Sequence, residues 1–313
     1  MNNNNKTKVL FIAGTGRNGS TILDNILGQL EGFFSGGEIG FLWERGITDN
    51  QLCGCGKPHL ECEVWSNIYK NIKADRFVDE AERWAAIKVQ KTRIRRIIWH
   101  IFNGKRETDT DLDQFLNVLE SLYHAIAFSV EADVIVDSSK YPLYGELLNL
   151  IPSLEVYTVH LVRDPRAMAF SWRNPKDSQD PNAPKRMAYM NLWTSSFVWN
   201  VWNLLIEIVN RKRKDKYLFL SYEEFSSNPK MSMEKILHFM HIARDVLPVT
   251  EERWVELKIN HTVSGNPSRF HHGKIQISED NRWIYGANLA EKITVTLFTF
   301  PLLIRYGYKI FRR

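Results

Sequence analysis

Two hydrophobic periods share the chain. Residues 8–13 (KVLFIA) are a short β-rich apolar run that ends in glycines, and residues 21–30 (TILDNILGQL) repeat apolar side chains at helical spacing. A strand, a glycine-rich turn and a helix are expected there. Residues 132–136 (ADVIV) predict a second buried strand closed by Asp137, Ser138, Ser139 and Lys140, with a helix over 143–150. A third strand, 156–162, runs into Arg163, Asp164, Pro165 and a helical stretch through Trp172. A fourth, 217–220, leads to Tyr222, Glu223, Glu224 and a helix from about 232 to 242. A helical insert spans about 65–130, and a Pro-rich loop at 174–184 is long enough to serve as a lid.

This alternation predicts an α/β fold: a P-loop-type three-layer α/β/α arrangement with a mostly parallel sheet and a helical insert. Ligands of such folds sit at the carboxyl ends of the strands, where the polar clusters fall. With 313 residues and 44% hydrophobic content, one domain over 8–313 is expected behind a disordered Asn-rich tail at 1–7. The net charge of +5 suits an anionic small ligand and gives no argument for nucleic acid. The three cysteines fall in one short segment, which favours a reducing, cytoplasmic setting over a disulfide-stapled secreted one. The tail lacks the blocks of a signal peptide. The apolar run 293–304 is broken by Pro301 and is short of the ~20 residues a span needs, so no membrane insertion is expected. Nothing in the sequence sets an oligomeric state.

The candidate chemistry begins at residues 14–21, GTGRNGST. As a GxxxxG[K][ST] loop it has Gly14, Gly19 and Thr21 in place, but Ser20 stands where a triphosphatase carries lysine. As GxGxxG it has Gly14, Gly16 and Gly19. Both templates aim a helix N-terminus at an anion. Losing the lysine argues against a P-loop small-molecule kinase. A nicotinamide-dependent oxidoreductase needs an acid about 20 residues on, after a second strand. Glu38 is at that distance, but residues 31–37 (EGFFSGG) make a poor strand. A non-catalytic nucleotide-binding module is the third alternative. Arg17 supplies a planar cation inside the loop, and Ser20 and Thr21 supply hydroxyls beside it. Arg163 ends a buried strand, so it needs an anion or an internal partner such as Asp137 or Asp164.

Five segments in order resemble the sulfotransferases that use 3′-phosphoadenosine-5′-phosphosulfate (PAPS), especially the bacterial and Golgi-type branch that includes tyrosylprotein sulfotransferases. GTGRNGST is similar to the family's 5′-phosphosulfate loop, with Arg17, Asn18, Gly19, Ser20 and Thr21 as donor-binding positions. GGEIG at 36–40 resembles the segment whose glutamate, here Glu38, is the catalytic base. DSSKYP at 137–142 places Lys140 where a family lysine reaches the transferred group. LVRDPRAMAFSW at 161–172 resembles the 3′-phosphate element, with Arg163 and Ser171 as binders. SYEEF and SGNPSRF at 264–270 complete the pattern, and GNPSR replaces the RKGxxGxW of the cytosolic branch at Asn266 and Arg269.

The resemblance implies sulfuryl transfer from PAPS to a hydroxyl or nitrogen of a small-molecule acceptor, with a specialised metabolite as the leading guess. Glu38, Lys140 and Arg17 would be the catalytic residues. A sulfuryl group carries less charge than a phosphoryl group, so no metal is expected at the reaction centre. The rival for Glu38 is a helix-terminal acid before residues 39–43, and for Lys140 a solvated lysine.

Cys53, Cys55, His59 and Cys62 form CxCxxxHxxC, which could ligate zinc. The tight CxC spacing makes a disulfide or a packed cysteine cluster the preferred expectation, and the family has a comparable segment without an assigned metal. The basic stretch 83–106, with Lys88, Lys91, Arg93, Arg95, Arg96 and Trp99, is expected to be a solvated face. Trp193, Trp199 and Trp202 recur at near-helical spacing and are expected in the core.

Overall fold

The computed structural model describes residues 6–93, 109–244 and 246–310. Strand β1 (Thr7–Ala13) lies at the centre of the sheet, because its last five side chains are apolar and both faces of the strand are covered. Val9, Phe11 and Ala13 enter one hydrophobic cluster and Leu10 and Ile12 enter another, as the two-residue period of a strand requires. Replacing Phe11, which is 1% exposed, by Ala would cost about 3–5 kcal/mol, the lost burial plus the cavity left behind.

The remaining strands are β2 (Phe33–Ser35), β3 (Val134–Lys140), β4 (Leu154–Val162) and β5 (Tyr217–Ser221). They form a parallel five-stranded sheet in the order β2-β3-β1-β4-β5. The chain therefore crosses from one side of β1 to the other between β3 and β4, which opens a crevice at the carboxyl end of β1. In the dinucleotide fold the second strand lies beside the first; here β3 separates β1 from β2, which argues against the nicotinamide alternative.

Among the described residues the α-helices are α1 (Ser20–Leu27), α2 (Glu63–Lys70), α3 (Ala81–Lys91), α4 (Thr110–Ser129), α5 (Pro142–Asn149), α6 (Pro165–Arg173), α7 (Leu192–Asn210), α8 (Tyr222–Ser227), α9 (Pro229–Phe239), α10 (Arg282–Gly286) and α11 (Leu289–Arg305). One face of the sheet is covered by α4 and α5 through Phe115 and Tyr144, with Trp65 of α2 against Phe34 and Trp84 of α3 stacked on Phe115. The other is covered by α1 and α9 through Leu23, Ile26, Met233 and Ile236. A smaller cluster joins Met168 of α6, Trp199 of α7 and Leu302 of α11.

Several expectations need correction. Residues 31–37 do hold a strand: β2 is three residues long, pairs Phe33 with Val134, and sends Phe33 and Phe34 to opposite cores. Pairing along a buried neighbour compensates for its shortness. The polar residues after 136 belong to β3 itself, where the register slips between Phe11↔Asp137 and Ala13↔Lys140. That slip is a one-residue bulge, and bulges re-aim side chains at sheet ends. Residues 289–305 form α11, started by a capping box between Asn288 and Glu291. An antiparallel pair, β6 (Trp254–Leu257) and β7 (Gly273–Gln276), was not expected. Among the described residues no helix is long and apolar enough to cross a membrane.

The basic stretch is not a solvated face throughout. Lys88 and Lys91 are buried, and they pair with Glu44 at 2.5 Å and Asp109 at 2.7 Å. Arg95, Arg96 and Trp99 lie outside the described residues. Of the three tryptophans only Trp199 is in the core; Trp193 is 57% exposed and Trp202 lines the cavity described below.

Candidate active site

The loop leaving β1 reaches α1 through backbone conformations that glycine favours. Gly19 ends it at φ 94, and a side chain there would strike the Tyr222 ring at 2.5 Å. A side chain at Gly16 would meet Trp172 at 2.5 Å. Asn18 is fully buried and braces the turn, donating Nδ2–H to Leu161 O (2.9 Å) and accepting the Ser20 N–H at Oδ1 (3.1 Å). Its side chain is thereby spent, which leaves only its backbone for a ligand.

The loop borders a cavity of about 730 Å³, within the usual range of ligand sites. Every other sequence-derived candidate lines it: Arg17, Gly19, Ser20, Thr21, Glu38, Lys140, Arg163, Ser171, Asn266 and Arg269. They arrive from β1–α1, the end of β2, the bulge of β3, the end of β4, α6 and the 264–270 segment. The Thr21 hydroxyl joins two of these walls by accepting the Asn266 N–H at 3.3 Å.

Arg17 lies 4.9 Å over the Trp172 ring, and its Nη1–H points to Met187 Sδ at 2.9 Å. Arg163 is 6% exposed, lies 4.5 Å over Tyr222 and donates to the Arg17 carbonyl at 3.1 Å. Its ion-pair partner is Asp280 at 3.0 Å, not Asp137 or Asp164. Asp164 is occupied in capping α6 and holding Arg166 at 2.7 Å, and Asp137 is occupied by Tyr123 and Ser139. Among the described residues, Arg17 Nη2 and Arg163 Nε are buried with no hydrogen-bond partner. Arg269, 3% exposed, spends its guanidinium on the carbonyls of Thr262 (3.1 Å) and Leu52 (2.7 Å). It thus acts on the cavity by holding its wall.

Glu38 precedes a short 3₁₀ turn (Ile39–Phe41) but caps nothing. Its carboxylate instead accepts from Lys140 Nζ at 2.5 Å and from Arg45 Nη1 at 2.7 Å. Burial pushes this carboxyl up, but Lys140 and then Arg45 more than offset it and hold it down at about 2. Lys140 is 12% exposed at its side chain, which excludes the solvated-lysine alternative. It and Arg17 adopt left-handed backbone conformations, φ 67 and φ 70.

Behind this wall sit two carboxylates with no cation in contact among the described residues. Asp24 accepts from Ser138 (2.5 Å) and Ser35 (2.6 Å), and burial raises its carboxyl to about 7. Asp137 accepts from Tyr123 and Ser139, and burial raises it to about 6.

Sequence reasoning missed Arg45, Asp280, Asp180 and Met187. Arg45 also donates to Ser264 Oγ at 2.7 Å, which ties Glu38 to the 264–270 segment. Asp180, in the Pro-rich loop, accepts from Leu52 N at 2.7 Å and stands 3.7 Å from Arg269. His59 is not a partner of the cysteines, because it is buried in an aromatic cluster with Trp65 and bonds Tyr69 Oη at 2.6 Å. The cysteines are all free, so no disulfide forms among them.

A family model described as the sulfotransferase domain matches residues 7–271. Among solved structures, the chain is similar to the sulfotransferase domain of the Synechococcus PCC 7002 olefin synthase (17% identity, 99% of this chain and 98% of that one, TM-score 0.49). It is also similar to the sulfotransferase domain from the curacin biosynthetic pathway (13%, 96% and 98%, TM-score 0.48) and to a sulfotransferase from Mycobacterium avium (12%, 99% and 79%, TM-score 0.47). A search of curated proteins finds no match.

Proposed function

The chain belongs to the sulfotransferase family, and from that premise we propose that it moves a sulfuryl group from PAPS to a hydroxyl or nitrogen of a small-molecule acceptor. The observation that carries the donor assignment is the pair of partnerless, buried guanidinium N–H groups on Arg17 and Arg163 at one cavity. Leaving charged donors buried and unpaired is costly, and a ligand with an anion at each end removes both costs. PAPS has that form. Its 5′-phosphosulfate is assigned to the start of α1, with Arg17, the backbone of Asn18 and Gly19, and the hydroxyls of Ser20 and Thr21. Its 3′-phosphate is assigned to Arg163 and Ser171. Asn266 and Arg269 shape the nucleotide wall.

In the transfer, the acceptor oxygen or nitrogen attacks sulfur, and the bond from sulfur to the 5′-phosphate oxygen breaks. Glu38 takes the acceptor proton, and adenosine 3′,5′-bisphosphate leaves with the bond's electron pair. Lys140 stabilises the charge that grows on the bridging oxygen, and Arg17 the sulfuryl oxygens. As Lys140 turns from Glu38 to that oxygen, the carboxylate loses its strongest cation and becomes the better base when it is needed. No metal is assigned to this centre. Phe41, Trp172, Met190 and Trp202 give the acceptor side an apolar lining that suits a specialised metabolite. The 174–184 loop, which contributes Lys176, Ser178 and Asp180, is assigned as the lid of a single cytoplasmic domain.

Calorimetry with adenosine 3′,5′-bisphosphate tests the donor. Micromolar binding is expected, and Arg163→Ala should weaken it by roughly 10- to 100-fold, the worth of a charged hydrogen bond. Absence of binding by the unaltered protein would overturn the assignment.

A further inference from the structure

Two segments distant in sequence, residues 53–62 and the stretch at His261, bring four metal-binding side chains to one point. Cys53 and Cys55 flank Gly54, Cys62 precedes α2, and His261 precedes the 264–270 segment. Their ligand atoms all lie within 4.8 Å of one another. Nδ1 of His261 is 3.3 Å from Cys62 Sγ and 3.9 Å from Cys53 Sγ. A tetrahedral centre with metal–sulfur bonds of about 2.3 Å has edges of about 3.8 Å, so these atoms already hold nearly the spacing of its corners.

The backbone around them is built to keep that arrangement. Gly56 closes the cysteine turn at φ 84, with its N–H on the Cys53 carbonyl at 2.8 Å. A side chain at Gly54 would come within 1.9 Å of Asn260 Oδ1, so glycine alone lets the two cysteines straddle this position. The Gly54 N–H donates to Thr262 O (3.0 Å) and Trp65 Nε1–H to His261 O (2.7 Å), which fix the histidine's segment against the turn. Cys53 and Cys62 are completely buried, and none of the three thiols is in a disulfide.

We propose that Cys53, Cys55, Cys62 and His261 bind one structural zinc ion. Three thiolates and an imidazole suit zinc, and four protein ligands leave no open position for catalysis. Binding displaces the thiol protons to solvent. The ion would lock the residues from which the far wall of the cavity hangs. Leu52, next to Cys53, holds Asp180 through its N–H and Arg269 through its carbonyl. Thr262, next to His261, holds the other arm of Arg269.

The test reads metal, not sulfuryl transfer, so it is independent of the donor assignment. Protein isolated without chelators or reductant is analysed for metal and thiols. One zinc per chain is expected, released by a mercurial that reacts with three thiols. Refolding with cobalt(II) should give the thiolate charge-transfer and tetrahedral bands. Cys55→Ser and His261→Ala, at half-buried positions, should weaken cobalt binding by more than the roughly 10- to 100-fold typical of outer-shell changes. A folded wild-type chain that carries no zinc and takes up no cobalt would overturn the proposal. So would one in which two of these cysteines are joined in a disulfide.

Discussion

The carboxyl edge of β2 and β3 carries two carboxylate neighbourhoods with opposite electrostatics. On the cavity side, Glu38 is gripped by Lys140 and Arg45 and held at about 2. On the core side, Asp24 and Asp137 are bonded to hydroxyls and raised by burial to about 7 and about 6. All three are buried, so burial does not separate them. The difference is made by direct contact with cations: the bulge in β3 and the wide turn over Leu42–Thr48 bring Lys140 and Arg45 onto Glu38, whereas Lys140 acts on Asp24 and Asp137 only from a distance. A hydroxyl can satisfy a carboxylate's lone pairs without stabilising its charge much. The cavity side thus pairs its carboxylate with two cations, and the core side holds the strand ends to α1 through hydroxyls.

The largest effect expected from breaking this contrast is on catalysis. Glu38→Gln keeps the shape and removes the proton acceptor, so the transfer rate should fall by about 10²- to 10⁴-fold. Binding of adenosine 3′,5′-bisphosphate should change little, because Glu38 is assigned to the acceptor proton. Single-turnover rates with labelled PAPS, alongside calorimetry, separate the two. Full turnover by the variant would show that the base lies elsewhere.

The core side should be visible as a stability slope. Asp24 binds a proton more tightly folded than unfolded, so the native state holds more protons between about 4 and about 7. Stability must then fall as pH rises through that window, by about 1.4 kcal/mol per unit for this group. Glu38 acts in the opposite sense, since its depressed value gives stability present above the ordinary carboxylate range and lost as pH falls toward 2. Asp24→Asn should reduce the slope of urea midpoints between pH 4 and 7, leaving the part that Asp137 contributes up to about 6, whatever it costs at the outset. An unchanged slope would mean that Asp24 titrates as an ordinary carboxylate.

Most of the fold was legible because its signals are local. Strand period, the glycines before α1 and the polar clusters after β1, in the last residues of β3 and after β4 are each written within a few residues. The site was legible as far as those clusters go, which explains why Glu38, Lys140, Arg17 and Arg163 all reach one cavity. The partners were not legible. Arg163 meets Asp280 across 117 positions, Cys62 meets His261 across 199, and Arg45 meets Ser264 across 219, and no periodicity links residues so far apart. His59 was the plausible ligand by spacing, yet the aromatic packing of Trp65 and Tyr69 claimed it. Asn18 matched a binding motif by position while its amide turned inward to β4. Burial of Lys88 and Lys91 was hidden because a charged helix face looks the same in sequence whether water or Glu44 and Asp109 meet it.

The smallest expected effect concerns the backbone beneath the cations. Arg17 and Lys140, both facing the cavity, are non-glycine residues at φ 70 and φ 67, whereas Asp24, Ser35, Asp137 and Ser138 have no such strain. A left-handed conformation costs an ordinary L-residue about 1–2 kcal/mol, and glycine escapes that cost while losing about 0.5–1 kcal/mol through its freer unfolded chain. Arg17→Ala and Arg17→Gly both delete the guanidinium, so they should weaken adenosine 3′,5′-bisphosphate binding to the same extent. In stability they should part, with the glycine variant the more stable by about 0.5–1 kcal/mol in urea unfolding. Equal or reversed stabilities would mean that the loop carries no strain at this position. The predicted order would mean that the fold bears a backbone cost at Arg17 to hold a cation at the cavity, as the core-side carboxylates never require.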